Sequence, residues 1–198
     1  MWLTDAAIAE AVSQGEVVIT PFVQEMSRPA SHLLTLSDRV VRTRASYQPI
    51  DVFSRESVQQ AFMPVERVSP ILLAPGEFAL AATRECVGLS PMHLGRLTGM
   101  SHLARLGLIV HVTADLVSPG FGWDVPTAIT LELVNHHARP LMLHPGMPIC
   151  HLMVGQMALP ARQPYHWLGV RYGGSEEPTV SRYPDEFGSG KGVSRTAG

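Results

Sequence analysis

Positive charge is sparse in this chain. Lysine and arginine number 15 in 198 residues against 17 acids, a formal net charge of −2. Such a balance leaves no electrostatic footprint for nucleic acid or an anionic membrane surface, so an anionic ligand must be held by local cations. Long apolar runs are lacking too, and no stretch reaches the roughly 18 residues that a membrane-spanning helix needs. The opening Met1, Trp2, Leu3, Thr4, Asp5 has neither the basic nor the apolar region of a secretory signal, and a cytoplasmic location is expected. Cysteine occurs twice, at Cys86 and Cys150, in separate apolar segments. Reduced, buried thiols are the expectation, with a disulfide between them the lesser alternative. The histidines (His93, His102, His111, His136, His137, His144 and His151 among them) are scattered without metal-ligand spacing. Each reads first as a packed or hydrogen-bonded side chain.

What is present suits one β-rich domain. The length fits a single domain with a tail, and a hydrophobic fraction of 45% is ordinary for a globular chain. Leu3 to Val12 reads as a short helix capped by Thr4 or Asp5 and ended by Gly15. Val17–Thr20 and Ser31–Arg44 read as strands, and the polar, proline-bearing stretch from Tyr47 to Pro70 as a long connection. From Ile71 on, apolar runs recur between turn residues: 71–74, 78–83, 94–98, 108–113, 128–134, 141–143 and 149–157. Their spacing of about 8 to 15 residues, with Pro-Gly turns at Pro75-Gly76 and Pro145-Gly146, predicts an antiparallel barrel or jelly roll. Those two turns resemble each other and each follows an apolar strand. The tail from Tyr172 is rich in Gly, Ser, Glu and Pro, and its last ten residues are expected to lack fixed structure.

Three polar residues stand out inside apolar sequence: Ser101, Arg105 and Glu132. Burying a hydroxyl, a guanidinium and a carboxylate is costly unless they satisfy one another or a ligand. One helical turn from Ser101 to Leu106 would place Ser101 and Arg105 on one side. In Ala-Ile-Thr-Leu-Glu-Leu-Val, strand alternation sends Ile129, Leu131 and Leu133 one way and Thr130, Glu132 and Val134 the other. On periodicity alone Glu132 reads as a solvated acid on the outer face of a sheet. Ser101 reads as a helix cap and Arg105 as a surface cation. Against the last reading, Arg105 is flanked by Leu103, Ala104, Leu106 and Leu108, which predicts that it is not freely solvated.

The run from Gly99 to Ala114, followed by Ser118-Pro119-Gly120 and the Leu131-Glu132 strand, resembles the signature of the dCTP deaminases, relatives of the trimeric dUTPases. The usual pattern there is G-R-S-S-x-A-R-x-G-L, then H-x-T-A, a D-P-G turn, and a strand carrying L-E. The resemblance implies a dUTPase-like distorted jelly-roll barrel, with residues 1–172 as the β domain and 173–198 as a C-terminal lid. It implies a homotrimer whose active sites draw on more than one subunit. Glu132 would be general base and proton shuttle for attack of water on C4 of cytosine. Ser101 and Arg105 would place water and balance charge beside it. Backbone groups of Val112, Thr113 and Ala114 would read the pyrimidine edge. Asp115, His102, Phe121, Tyr165, Arg171 and Tyr172 complete the expected substrate-binding set. Magnesium would accompany the nucleotide phosphates without protein ligands. A zinc mechanism would need His/Cys-x-Glu and Pro-Cys-x-x-Cys motifs, and this sequence has neither.

The chain departs from that pattern mostly where phosphates are held. The arginine after the motif glycine is Met100, and the second motif serine is His102. The aspartate of the D-P-G turn is Ser118, and Asp115 would replace it only if the loop re-routes. Extra residues, 122–126, precede the Leu-Glu strand. The glutamine expected after the Tyr165, Arg171, Tyr172 segment falls at Ser175, followed by Glu176 and Glu177. His102, Arg96, Arg171 and Arg182 are the cations left to compensate. The expected activity is therefore hydrolytic deamination of dCTP or a less phosphorylated or modified cytosine nucleotide. A dUTPase-type pyrophosphatase and a non-catalytic nucleotide-binding trimer are the competing readings.

Overall fold

The structure, a computed structural model, describes residues 1–169 and 171–188. Helix α1 (Asp5–Ser13) opens the chain, its first turn closed by the Thr4 hydroxyl accepting from the Ala7 amide at 3.4 Å. Ile8 and Ala11 are its buried face. Gly15 then turns the chain at φ +73°, a conformation that L side chains resist. Strands β1 (Val17–Thr20), β2 (Ser27–Arg28) and β3 (Ser31–Arg42) follow. The polar connection after β3 is not structureless: it carries α2 (Arg55–Gln60) and β4 (Glu66–Arg67). Next come β5 (Ile71–Leu73), β6 (Phe78–Leu89), β7 (His93–Gly99) and the single helical turn α3 (Ser101–Ala104). Then come β8 (Leu108–Ile109), β9 (Leu116–Val117), β10 (Thr127–Asn135), β11 (Leu141–Leu143) and β12 (Pro148–Gln156). Helix α4 (Tyr183–Phe187) lies near the end of the described chain.

Ten strands form one sheet along the path β8-β10-β6-β3-β12-β7-β9, with β1 on β6 and β2 and β4 on β3. The long strand β3 serves two neighbours in turn. Its first half pairs antiparallel with β12 (Leu34 opposite Cys150), and its second with β6 (Val41 opposite Leu80). A register shift between Leu36 and Val40 lets the strand bend from one side of the barrel to the other. Both halves contribute to one core with Leu34, Leu36, Leu131, Leu133, Ile149 and Leu152, all fully buried. A separate two-stranded sheet pairs β5 with β11, Leu73 opposite Leu141. The two similar Pro-Gly turns seen in the sequence thus follow strands that pair with each other.

The expected mainly β class holds, with two adjustments. The strand predicted over 108–113 stops at Ile109, because the carbonyl of Val110 instead accepts the Glu132 amide at 3.1 Å as the chain leaves the sheet. Strand β6 runs to Leu89, well past Thr83. The C-terminal segment is tied to β10. The Gly174 amide donates to the Thr127 hydroxyl (2.8 Å), the Ala128 amide to the Ser175 carbonyl (2.9 Å), and the Thr179 amide to the Thr130 hydroxyl (3.1 Å). The expectation for the last ten residues, 189–198, lies outside the described residues. Both cysteines are free thiols, Cys150 fully buried and Cys86 only half-buried, so the burial expected of both applies to one. No helix of the described residues is long and apolar enough to cross a membrane.

Candidate active site

Strand β10 supplies the floor of the site by simple alternation. Ile129, Leu131 and Leu133 point into the core, so Thr130, Glu132 and Val134 face the other way, half-covered. That second face is not open solvent. It borders a cavity of about 640 Å³, within the range for small-molecule sites. Glu132 lines the cavity, with Thr113, Ala114, Ser118 and Phe121 from the segment after β8 and Tyr165, Tyr172, Ser175 and Glu177 from the C-terminal segment.

The Glu132 carboxylate is aimed by the backbone. Its Oε2 accepts from the Val112 amide at 2.7 Å. The irregular Val110–Val112 stretch therefore does two jobs: its carbonyl pairs with β10, and its amide fixes the acid. This revises the role expected of Val112, whose N–H is given to Glu132 and so is not free to read a base edge. Thr113 and Ala114 remain at the cavity wall. Phe121 and Tyr165 pack with ring centroids 5.6 Å apart. The Tyr165 hydroxyl accepts from the Tyr172 amide at 2.7 Å, pinning the closing segment to the wall. Burial, first of all, raises the Tyr165 pKa above the usual phenol value.

Other expected residues lie elsewhere. Ser101 and Arg105 do share one helical turn, the Arg105 amide donating to the Ser101 carbonyl at 3.1 Å. Within one chain both are exposed and neither lines the cavity. The sequence expectation that Arg105 is shielded fails for the isolated chain, because α3 is one turn long and leaves Arg105, the residue that caps its C-terminal end, on the surface. His102 is exposed beside them. Asp115 does not re-route toward the Ser118 position: its Oδ2 accepts from Arg96 Nε at 2.7 Å, outside the cavity lining. That guanidinium holds the Asp115 carboxyl below its ordinary pKa. Arg171 binds Asp124 Oδ2 at 2.7 Å and the His166 carbonyl. Arg182 contacts Asp185 at 3.4 Å and the Arg171 carbonyl.

Phe62 and Phe78 also line the cavity, and neither was singled out from the sequence. No periodic signal marks them. Thr130 lines it as well, and its position two residues before Glu132 on one strand face was the available clue. The extra residues 122–126 are anchored rather than looped out. Gly122 sits at φ +58°, and a Cβ there would lie 2.1 Å from the Val87 carbonyl oxygen, so only glycine fits. Among the described residues no group of three or more His, Cys, Asp or Glu is arranged to hold a metal ion.

A sequence profile described as dCTP deaminase-like matches residues 2–157. The chain belongs to the dCTP deaminase-like family. Among its relatives is the "dCTP deaminase, dUMP-forming" of Corynebacterium jeikeium, 39% identical over 186 residues, which cover 92% of this chain and 96% of the relative. The enzyme of the same name from Salinispora arenicola is 37% identical over 186 residues, 92% and 94% of the two chains. The crystal structure of 2'-deoxycytidine 5'-triphosphate deaminase from Agrobacterium tumefaciens aligns with a TM-score of 0.60 at 19% identity. That alignment covers 77% of this chain and about half (47%) of the other, and shows a shared fold. The mainly β fold anticipated from the signature is the fold seen here and shared with that deaminase.

Proposed function

We propose that the chain is a hydrolytic deaminase of a cytosine deoxynucleotide, with Glu132 as the acid-base group. The observation that carries this reading is the Glu132 carboxylate, held at the cavity by the Val112 amide on the strand face that points away from the core. Glu132 takes a proton from water as its oxygen bonds to C4 of the ring. It returns that proton to the amino nitrogen as the C4–N bond breaks, and the second proton of the water ends on N3 of the ring, so cytosine and water become uracil and ammonia. A positioned acid-base group of this kind contributes about 10²- to 10⁴-fold in rate. Thr113 and Ala114 border the pyrimidine, and Phe121, Tyr165 and Tyr172 enclose it.

Ser101 and Arg105 join the site from a second copy of the chain in a closed homotrimer. Support comes from their exposure in one chain and from the family signature they belong to. Arg105 then steadies the carboxylate and the nucleotide's negative charge. Magnesium belongs with the substrate phosphates, where it neutralises charge, and takes no protein ligand.

A second reading has one specific observation behind it: the relatives bear the name dUMP-forming. Turning dCTP into dUMP breaks a phosphate linkage besides the C–N bond. Here the residue at the D-P-G turn is Ser118, which offers the cavity a hydroxyl but no carboxylate, and this disfavours water attack on phosphorus. One assay separates the readings. The protein is incubated with dCTP, dCMP and deoxycytidine, and ammonia, uracil products and pyrophosphate are followed. Ammonia matching uracil product is expected. Nucleotide binding, read as a thermal shift, without ammonia or pyrophosphate would replace the enzyme with a regulatory binder.

A further inference from the structure

The C-terminal segment that borders the cavity alternates like a strand. Gly173, Ser175, Glu177, Thr179 and Ser181, every second residue, line the cavity. The residues between them turn toward the barrel. The Gly174 amide donates to the Thr127 hydroxyl at 2.8 Å, Pro178 is buried, and Glu176 reaches Arg39 of β3. The last of these is a two-pronged grip. Arg39 Nη1 donates to the Glu176 carbonyl at 2.7 Å, and Nη2 to its carboxylate at 2.8 Å. The Arg39 side chain is only 17% exposed, and its Nε is buried with no hydrogen-bond partner among the described residues. Its head group is therefore committed to this strap. Glu176 is 68% exposed, so solvent screens the attraction and the bond to the carbonyl carries part of the hold.

Both ends of the strap are fastened without Arg39. The Tyr172 amide donates to the Tyr165 hydroxyl at 2.7 Å. Beyond Ser181, α4 rests on the connection after β3, where Asp185 meets Arg55 at 3.4 Å and the Tyr183 and Phe53 rings lie 5.6 Å apart, edge to face. Between those ends the strap meets β10 through neutral groups, the bonds to Thr127, Ala128 and Thr130. Among the described residues, Arg39 gives residues 173–181 their one ion pair, the stronger kind of hydrogen bond.

We propose that Arg39 is a positioning residue of the active site. Through Glu176 it holds the middle of the strap against the barrel, and so sets the wall that faces a bound nucleotide. The inference rests on the deaminase reading for its kinetics and on the fold alone for its mechanics. Arg39 is not among the residues lining the cavity. Releasing its grip leaves Glu132 and the Val112 bond in place, so the chemical step is spared while the held form of the strap becomes rarer. Apparent affinity falls with the fraction of the competent form. KM therefore rises and kcat stays.

The test compares the wild type, R39Q, E176Q and the double variant with dCTP as substrate. Hydrogen exchange is followed in residues 173–181, with β12 as the internal reference. Each single variant is expected to exchange about five- to ten-fold faster in the strap and at the wild-type rate in β12. KM for dCTP should rise by about the same factor, with kcat within about two-fold. The double variant should be no worse than the weaker single, because both substitutions remove one interaction. A merely structural Arg39 would speed exchange in β12 as well and leave E176Q silent. Either result would overturn the proposal, as would additive losses in the double variant or a faster strap with an unchanged KM. If the wild type releases no ammonia, the deaminase reading falls and exchange decides the grip alone. Faster strap exchange in both singles sustains it, and equal exchange ends it.

Discussion

Replacing Glu132 by glutamine separates chemistry from architecture. The native carboxylate accepts one backbone hydrogen bond, from the Val112 amide at 2.7 Å. Glutamine presents a carbonyl oxygen of the same reach, so the Val110–Val112 stretch keeps its anchor. What is lost is the charged part of that bond. Hydrogen bonds to charged groups contribute about 1.5–3 kcal/mol and neutral ones about 0.5–1.5, a difference of about 1 kcal/mol. For a domain of this size that lowers Tm by about 2–4 °C. Activity should fall far more, because an amide at neutral pH neither takes the proton from water nor passes one to the leaving amine. The expected loss is about 10²- to 10⁴-fold in kcat, or about 3 to 5.5 kcal/mol of barrier. The assay follows the change in ultraviolet absorption as cytosine becomes uracil, beside a thermal melt and product binding. E132Q that melts within a few degrees of the wild type, binds nucleotide and turns over within ten-fold of the wild-type rate would refute the assignment.

Four further substitutions test the fold. Leu131→Ala, beneath Glu132 on the core face and fully buried, should cost about 2–5 kcal/mol by chemical denaturation; a loss under 1 kcal/mol would mean β10 does not face the core as described. Gly122→Ala should destabilise strongly, since its Cβ would strike the Val87 carbonyl. Gly76→Ala, also at positive φ but with nothing within 4 Å, should cost only about 1–2 kcal/mol, and equal melts for the two would contradict the packing of the insertion. His32 is buried and stacked on Phe22, and burial, followed by Arg28, lowers its pKa below 6.5. The fold therefore favours neutral imidazole, so its contribution is whole above about pH 6.5 and is lost as pH falls toward the lowered folded value. Tm measured from pH 8 to 5 should drop less steeply in His32→Gln, and an unchanged slope would remove His32 from the acid response.

Legibility in the sequence followed periodicity. Strand β10 was readable because apolar residues alternate through it, and the same alternation put Thr130 and Glu132 on one face. Strands β2, β4 and β9 were not, since two residues carry no period. Val110 to Thr113 looked like more strand because they are mostly apolar and β-branched, yet the Val110 carbonyl and the Val112 amide both go to Glu132. The turn bearing Ser101 and Arg105 was legible as a turn, but sequence does not say which surface one turn presents. Pairings across long separations were out of reach. Arg171 finds Asp124 47 residues away, and the buried Glu85 is held by the amide and hydroxyl of Thr35, 50 residues away. The composition of the tail suggested disorder only for its last ten residues, which lie outside the described residues. The bonds that tie Gly174, Ser175 and Thr179 to Thr127, Ala128 and Thr130 of β10 are ones that composition does not register.

The shared site is tested most directly by mixing two disabled copies. E132Q and Arg105→Ala, each weak alone, are unfolded and refolded together in equal amounts, and deamination is measured. If the acid of one chain meets the guanidinium of another, random assembly leaves about one quarter of the sites with both native groups, and about that share of the wild-type rate returns. A mixture no more active than the sum of its parents would contradict the account.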